Sequence, residues 1–153
     1  MRTAYRVLAY LVAVEVVIQA AAIAYAFFGE SKFISDGGVI NKAVIESQSA
    51  EFDGVLGFAV HGINGQLITP LIVVLLLVVS FFAKVRGGVR WAAVVVVLVA
   101  LQVVLGIFGG DIPFLGLLHG LNALAVFTCA IIAARHASAR VEAPVTTGAT
   151  SIA

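Results

Sequence analysis

Four long apolar runs constrain this chain more than any other feature of its sequence. They lie at about residues 6–28, 57–83, 90–109 and 113–135. About 20 apolar residues cross the hydrocarbon of a bilayer, and only helices and closed barrels satisfy their backbone there. The chain is 62% hydrophobic and 11% charged, whereas soluble domains are about 45–50% apolar and about 25% charged. We predict an all-α fold, an up-down four-helix transmembrane bundle at residues 1–136 whose surroundings are the lipid bilayer.

The charged residues divide between the two ends of this predicted bundle. Cations lie before the first helix, between the second and third, and after the fourth, whereas the first and third loops are acidic. The cations are Arg2, Arg6, Lys84, Arg86, Arg90, Arg135 and Arg140, and the acids are Glu30, Asp36, Glu46, Glu51, Asp53 and Asp111. The positive-inside rule then predicts that both termini are cytoplasmic. Few lysines and abundant Ala, Val and Gly suggest a bacterial cytoplasmic membrane, and without a basic, aromatic-rich patch we expect no nucleic-acid partner.

The first outer loop, residues 29–56, is long for a bundle connection, where about 2–8 residues are usual. Apolar positions in residues 39–52 share one face, which predicts an interfacial amphipathic helix that covers the bundle as a lid. A mobile tether is an equally good interpretation of the same loop. The small and polar residues 137–153 have too little apolar content to fold, so we predict a disordered cytoplasmic tail.

A short motif occurs near the start of both the second and the fourth predicted helix. Residues 61–65 read HGING, and residues 119–123 read HGLNA. Gln19 and Gln102 form a second matched pair on the first and third helices. These matches predict two pseudo-repeated helix pairs, as in many membrane folds. Polar groups inside a bilayer are costly and usually functional, so both histidines become candidate site residues.

His61 and His119 each follow a few residues into helices that run in the same direction, which places them at similar depth. Consecutive helices of an up-down bundle are neighbours, so the second and fourth helices lie diagonally opposite. Two imidazoles then approach a central plate from opposite sides, as bis-histidine ligation of a haem requires. We predict one haem b with these two residues as its metal ligands.

The residues three and four positions after each histidine share its face of the helix. They are Asn64, Gly65, Asn122 and Ala123, and we predict that they border the cofactor, with Gly65 and Ala123 leaving room for a flat macrocycle. The asparagines also suit a simpler interpretation as hydrogen bonds between helices. Both histidines have a matching alternative as hydrogen-bonded interior residues without a cofactor.

These residues give the bundle a resemblance to a known family. With His61, His119 and the run LQVVLG at residues 101–106, it resembles one half of haem A synthase and, more loosely, the four-helix haem-b membrane cytochromes. It is also similar to small bacterial four-helix membrane proteins with this histidine layout. The resemblance implies a haem-b-binding bundle without synthase activity. This chain departs from the synthase in three respects. The synthase has eight helices, and it carries a catalytic glutamate where this chain has Phe58. Many of its members have a loop cysteine pair, whereas Cys129 is the only cysteine here.

Glu15 lies near the middle of the first helix, one turn before Gln19. One interpretation is a proton-coupled site, because the residues around it resemble the first helix of small multidrug transporters. The other is structural, a neutral carboxyl that bonds to Gln102 or Ser80 on a neighbouring helix. In the second helix, Pro70 removes a backbone hydrogen bond and predicts a kink.

Three functions follow as hypotheses. The first is electron transfer through the haem to or from a quinone or a redox partner protein. The second is proton-coupled transport that uses Glu15, and the third is a structural accessory subunit without a cofactor. Two axial histidines leave no open iron position for catalysis, so we expect an electron carrier or accessory subunit rather than an enzyme, and predict no catalytic residue. The sequence does not predict an oligomeric state.

Overall fold

The computed structural model describes residues 1–47 and 49–138. Its elements are α1 (Arg2–Ser35), α2 (Lys42–Ser47), α3 (Leu56–Ile63), a π-helical turn (Asn64–Ile68), α4 (Thr69–Ser80), α5 (Gly88–Gly109) and α6 (Pro113–Ser138). The elements α3, π turn and α4 are continuous and form one rod. Four helices are long and apolar enough to cross a membrane, namely α1, this rod, α5 and α6. The chain is therefore a multi-pass membrane protein, and the predicted all-helical four-helix bundle is confirmed.

The four long helices follow one another around the bundle. The first, α1, packs against the α3–α4 rod and against α6, while α5 packs against α4 and α6. The rod and α6 therefore stand at opposite corners, as the up-down order predicts. We call the end that carries the loops 36–55 and 110–112 the histidine end, because both motif histidines lie near it. The opposite end carries the start of α1, the end of α6 and the link 81–87. We call it the termini end.

Several helix bounds differ from those predicted. The first helix continues to Ser35, so the long loop covers residues 36–55 rather than 29–56. The last helix includes Ala137 and Ser138, which the sequence analysis assigned to the tail. Residues 139–153, the rest of the predicted tail, lie outside the described residues. Among the described residues of the long loop, Lys42–Ser47 form the helix α2, and none of them is buried. The lid and the tether both stay predictions.

Aromatic contacts fasten the end of the long loop to α1. Phe27 and Phe58 meet edge to face at 5.3 Å between ring centres, and Phe33 and Phe52 lie 5.6 Å apart. Such pairs add about 0.5–1.5 kcal/mol each beyond their burial. Gly54 has φ +99°, a conformation that side chains disfavour, and a Cβ there would overlap the main chain of α1. The start of α3, and with it the first motif histidine, is thereby fixed against α1.

The hydrophobic core lies at the termini end. Its largest fully buried side chains are Tyr5, Val12, Leu76, Val95 and Val126. The Tyr5 hydroxyl donates a hydrogen bond of 3.0 Å to the Gly88 carbonyl and joins the starts of α1 and α5. Among the described residues, Ala26 and Leu105 are the buried apolar side chains outside this cluster. The buried apolar side chains are therefore concentrated at the termini end.

The rod is interrupted by the π-helical turn Asn64–Ile68, directly before Pro70. The Thr69 amide reaches back to the carbonyl of Asn64, one residue further than in an α-helix. The break that the sequence analysis expected as a kink at Pro70 thus takes the form of a π turn. Turns of this kind are frequent at functional sites, and this one begins three residues after His61.

Candidate functional site at the histidine end

The imidazoles of His61 and His119 approach one another across the bundle. Their ring centres lie 6.0 Å apart with an angle of 60° between the planes. His61 is the sixth residue of α3 and His119 the seventh of α6, so each ring lies roughly 8–9 Å from the start of its helix. Both side chains are half-buried. Helices at opposite corners of the bundle therefore present two imidazoles at the same depth.

Each ring is held through Nδ1 by a main-chain carbonyl of the preceding long helix. His119 Nδ1 lies 3.0 Å from the carbonyl oxygen of Gln102, and His61 Nδ1 lies 3.1 Å from that of Gln19. A carbonyl oxygen only accepts, so at His119 Nδ1 carries the proton and Nε2 keeps its lone pair in the neutral ring. Histidines that bind metals commonly donate their other N–H to a carbonyl in this way, which fixes the tautomer and ring orientation.

The Gln102 side chain joins the two helices of the second half. Its Nε2 donates to the main-chain oxygen of His119 at 3.0 Å, and its Oε1 accepts from Asn122 Nδ2 at 2.7 Å. Asn122 is buried and donates also to the carbonyl of Leu98 at 2.9 Å. The second half therefore closes a network in which a glutamine, a histidine and an asparagine bond to one another across α5 and α6.

The first half repeats this network through Gln19. With the Gln19 amide oriented so that its neighbours are satisfied, its nitrogen donates to the main-chain oxygen of His61 at 3.0 Å. Its oxygen then accepts from Asn64 Nδ2 at 3.1 Å and from the Gly65 amide at 2.7 Å. Amide orientation is assigned from the hydrogen-bond network rather than observed. The same nitrogen lies 2.7 Å from His61 Nδ1, so Nδ1 of this ring faces both an amide donor and the Gln19 carbonyl, and neither contact alone fixes the tautomer.

The two halves thus share one set of contacts, which is stronger evidence of a repeat than the short sequence match. In both halves the histidine bonds the glutamine carbonyl, the glutamine amide bonds the histidine carbonyl, and the asparagine bonds the glutamine oxygen. Asn64 and Asn122 bond to neighbouring helices, as the hydrogen-bonding interpretation expects. Their role as cofactor contacts, and that of Gly65 and the half-buried Ala123, stays a prediction.

Glycines near the histidines serve helix contacts. A Cβ at Gly57 would overlap the Ala22 carbonyl of α1, and one at Gly109 would lie 3.1 Å from the Cα of Gly116. These residues let neighbouring backbones approach, which is the usual role of small residues in membrane helices. Among the described glycines, Gly106 is the one that faces an imidazole closely, since its Cβ would lie 3.0 Å from His119 Cε1.

Glu15 bonds to a residue that the sequence analysis did not pair with it. Asn64 Nδ2 donates to Glu15 Oε2 at 2.5 Å, whereas Ser80 bonds the Leu77 carbonyl and Gln102 bonds within the second half. Both partners expected for Glu15 are therefore wrong. The spacing of Glu15 and Gln19 could have indicated this partner. The two residues lie one turn apart on α1, so both face the same neighbouring helix and can reach the same asparagine.

The described residues contain no group of three or more His, Cys, Asp or Glu side chains placed to hold a metal ion. A site that relied on protein ligands alone would need more donors than the two imidazoles supply.

Comparison with known proteins covers only part of the chain. Residues 49–108 match a family of unknown function, DUF6220. This stretch includes His61, Asn64 and Gln102 and ends before His119. No curated protein and no solved structure matches the chain.

Proposed function

We propose that this membrane protein is an electron carrier that binds one haem b between His61 and His119. The carrying observation is that the two half-buried rings lie 6.0 Å apart, on helices at opposite corners of the bundle. Two imidazole–metal bonds of about 2 Å, plus about 1 Å from each ring centre to its nitrogen, span about 6 Å. The ring spacing therefore suits two Nε2 atoms that share one iron.

The protonation of the rings supports the same proposal. His119 Nδ1 lies 3.0 Å from the carbonyl oxygen of Gln102, so in the neutral ring its Nε2 has a lone pair to donate to a metal. In the described part of the chain, neither Nε2 has a hydrogen-bond partner.

Packing supplies a second line of support. The core cluster fills the termini end, while the histidine end has few buried apolar side chains. Helical bundles commonly build cofactor sites from side chains on facing helices.

Electron transfer fits this ligand set better than catalysis. A haem with two axial histidines has no open position for a substrate, and it passes single electrons. A quinone dissolved in the bilayer or a redox partner protein is the proposed exchange partner. Lys32 near the end of α1 and Lys42 in α2 lie at the histidine end, and each pairs with an acid one turn on, at 2.6 and 3.6 Å. Exposed pairs of this kind are weak, so either lysine can turn to a haem propionate.

The proposal includes an orientation. Arg2, Arg6, Lys84, Arg86 and Arg90 lie at the termini end, whereas the loops of the histidine end are acidic. The positive-inside rule then makes the termini end cytoplasmic in a bacterial cytoplasmic membrane, with the haem toward the outer face. The resemblance to one half of haem A synthase belongs to the same proposal, since it rests on the same two histidines.

The ligand assignment is tested by absorbance. The full-length protein is purified from haem-replete cells, and dithionite-reduced minus oxidised spectra are recorded. Sharp b-type bands are expected for the wild type, and their loss in His61→Ala and in His119→Ala separately. His136→Ala is the matched control, because this exposed histidine lies at the termini end beside Trp91. Bands that survive in both motif variants would overturn the assignment.

A further inference from the structure

The half of the site that contains Glu15 differs from the other half in one respect. Four residues before Gln102, the position that matches Glu15 is occupied by Leu98. There Asn122 bonds the main-chain oxygen of Leu98 at 2.9 Å, and the network closes without a carboxyl group. Glu15 is therefore not required to satisfy the asparagine of the repeat. An ionisable group inside the membrane that the fold does not require is a functional candidate.

Glu15 lies in a groove that opens toward lipid between α1 and the rod. The groove is shallow and open, and it is lined by Glu15, Ile18, Leu56, Ala59, Val60, Ile63, Asn64 and Ile68. The apolar wall residues are mostly exposed, Ile63 by 60% and Val60 by 46%, so a ligand reaches this groove from the hydrocarbon.

The polar floor of the groove offers hydrogen-bond acceptors. Asn64 Nδ2 is occupied by Glu15 Oε2 and by the Gln19 side chain. Within the described residues, Glu15 Oε1 and Asn64 Oδ1 have no hydrogen-bond partner. Two acceptor oxygens under apolar walls suit a ligand with hydroxyl donors on an apolar ring. Asn64 also bonds Gln19, which holds His61, so such a ring would lie next to the proposed haem ligand.

We propose that this groove binds the ring of a membrane-soluble quinol, with Glu15 Oε1 and Asn64 Oδ1 accepting from its hydroxyls. The proposal rests on the proposed haem function, because it assigns the electron donor of that haem. Oxidation of one quinol to quinone breaks two O–H bonds and releases two protons and two electrons. The haem that His61 and His119 would hold in each of two molecules would accept one of the two electrons, and the two protons would pass to water.

Binding is tested with decylubiquinol, a quinol with a ten-carbon tail, under anaerobic conditions. The full-length protein is reconstituted in lipid nanodiscs with its haem fully reduced, so that quinol can bind without reacting. Saturable binding is expected for the wild type. Ala59→Trp, which fills the groove, should bind at least tenfold more weakly. The same loss is expected for Glu15→Leu, which introduces the residue found at the matching position of the second half. Ala100→Trp is the matched control on the lipid-facing surface of α5 and should bind as the wild type does.

The outcomes separate this inference from the haem proposal, because b-type bands are recorded on the same samples. Haem bands together with quinol binding that is absent, or equal in all variants, would overturn the groove as the site. A groove occupied by a phospholipid chain would give this result too. Saturable, groove-dependent binding in a preparation without haem bands would overturn the haem proposal and leave the quinol site standing.

Discussion

Gly106 on α5 leaves open the space that the imidazole of His119 fills. A Cβ at Gly106 would lie 3.0 Å from Cε1 and 3.1 Å from Nδ1 of that ring. Gly106 stands one helical turn after Gln102, whose carbonyl holds the same Nδ1. The absence of a side chain on that turn lets the ring reach the carbonyl across the helix surface.

Gly106→Val should therefore displace the ring from its carbonyl. We expect haem content to fall about tenfold or more, the range seen when groups that orient metal ligands are lost, while helix content is kept. Haem per chain and far-ultraviolet circular dichroism measure the two effects. Gly120→Val is the control, because a Cβ there meets nothing within 4 Å. Equal haem content in both variants would contradict the role given to Gly106.

Gln102→Leu removes both side-chain hydrogen bonds of this residue, to His119 and from Asn122. Interhelical hydrogen bonds in membranes contribute about 0.6–2 kcal/mol each, so we expect a loss of about 1–3 kcal/mol in the free energy of unfolding. Haem dissociation should become faster as the ring loses its fixed position. Denaturant titrations measure the free energy of unfolding, and haem-transfer assays measure the rate of haem dissociation. Gln66→Leu makes the same change at an exposed residue of the rod and should alter neither of them. A stability loss in Gln66→Leu that matches Gln102→Leu would show that the network is not the cause.

Glu15→Leu should leave the fold stable. Asn64 keeps the Gln19 oxygen as acceptor at 3.1 Å, and the second half closes its network around a leucine. We expect a change within about 1 kcal/mol in the free energy of unfolding, since interhelical bonds in membranes are weak, and unchanged haem bands. Denaturant titration in detergent measures the stability. A loss above about 2 kcal/mol would show instead that Glu15 is a structural residue.

The termini end should carry most of the stability. Leu76 is fully buried in its core, and truncating such a residue costs about 2–5 kcal/mol. Leu76→Ala should therefore destabilise strongly, while the folded fraction keeps its haem. Leu75→Ala, at a neighbouring position that is 44% exposed, should change stability by less than about 0.5 kcal/mol. Loss of haem from folded Leu76→Ala protein would show that the two ends are coupled.

Much of the fold follows from the sequence, because a bilayer admits few backbone arrangements. Hydropathy located the four spans, and the alternation of charges agreed with an even number of them. The ends were less predictable. The run ending at residue 28 continues as helix to Ser35, since polar residues such as Lys32 and Asp36 cap and extend a helix beyond the hydrocarbon at no cost to its hydrogen bonds.

The candidate site was only partly predictable. Periodicity brought His61 and His119 to one depth, since rise per residue is constant in a helix. Periodicity could not show that the ring nitrogens bond to main-chain carbonyls, because every residue has a carbonyl and its side chain does not mark it as an acceptor. The partner of Glu15 was equally out of reach. The π turn before Pro70 changes which residues of the rod face α1, and uniform helical spacing therefore misassigns them.

The central claim is that one haem is held by two histidines, and the ferric protein tests it most directly. Pyridine haemochrome analysis counts haem per chain, and electron paramagnetic resonance reports its ligands. The proposal predicts one haem per chain with a low-spin, bis-imidazole ferric signal that disappears when either motif histidine is replaced. A colourless, well-folded protein from haem-replete cells, or a high-spin signal in the wild type, would contradict it.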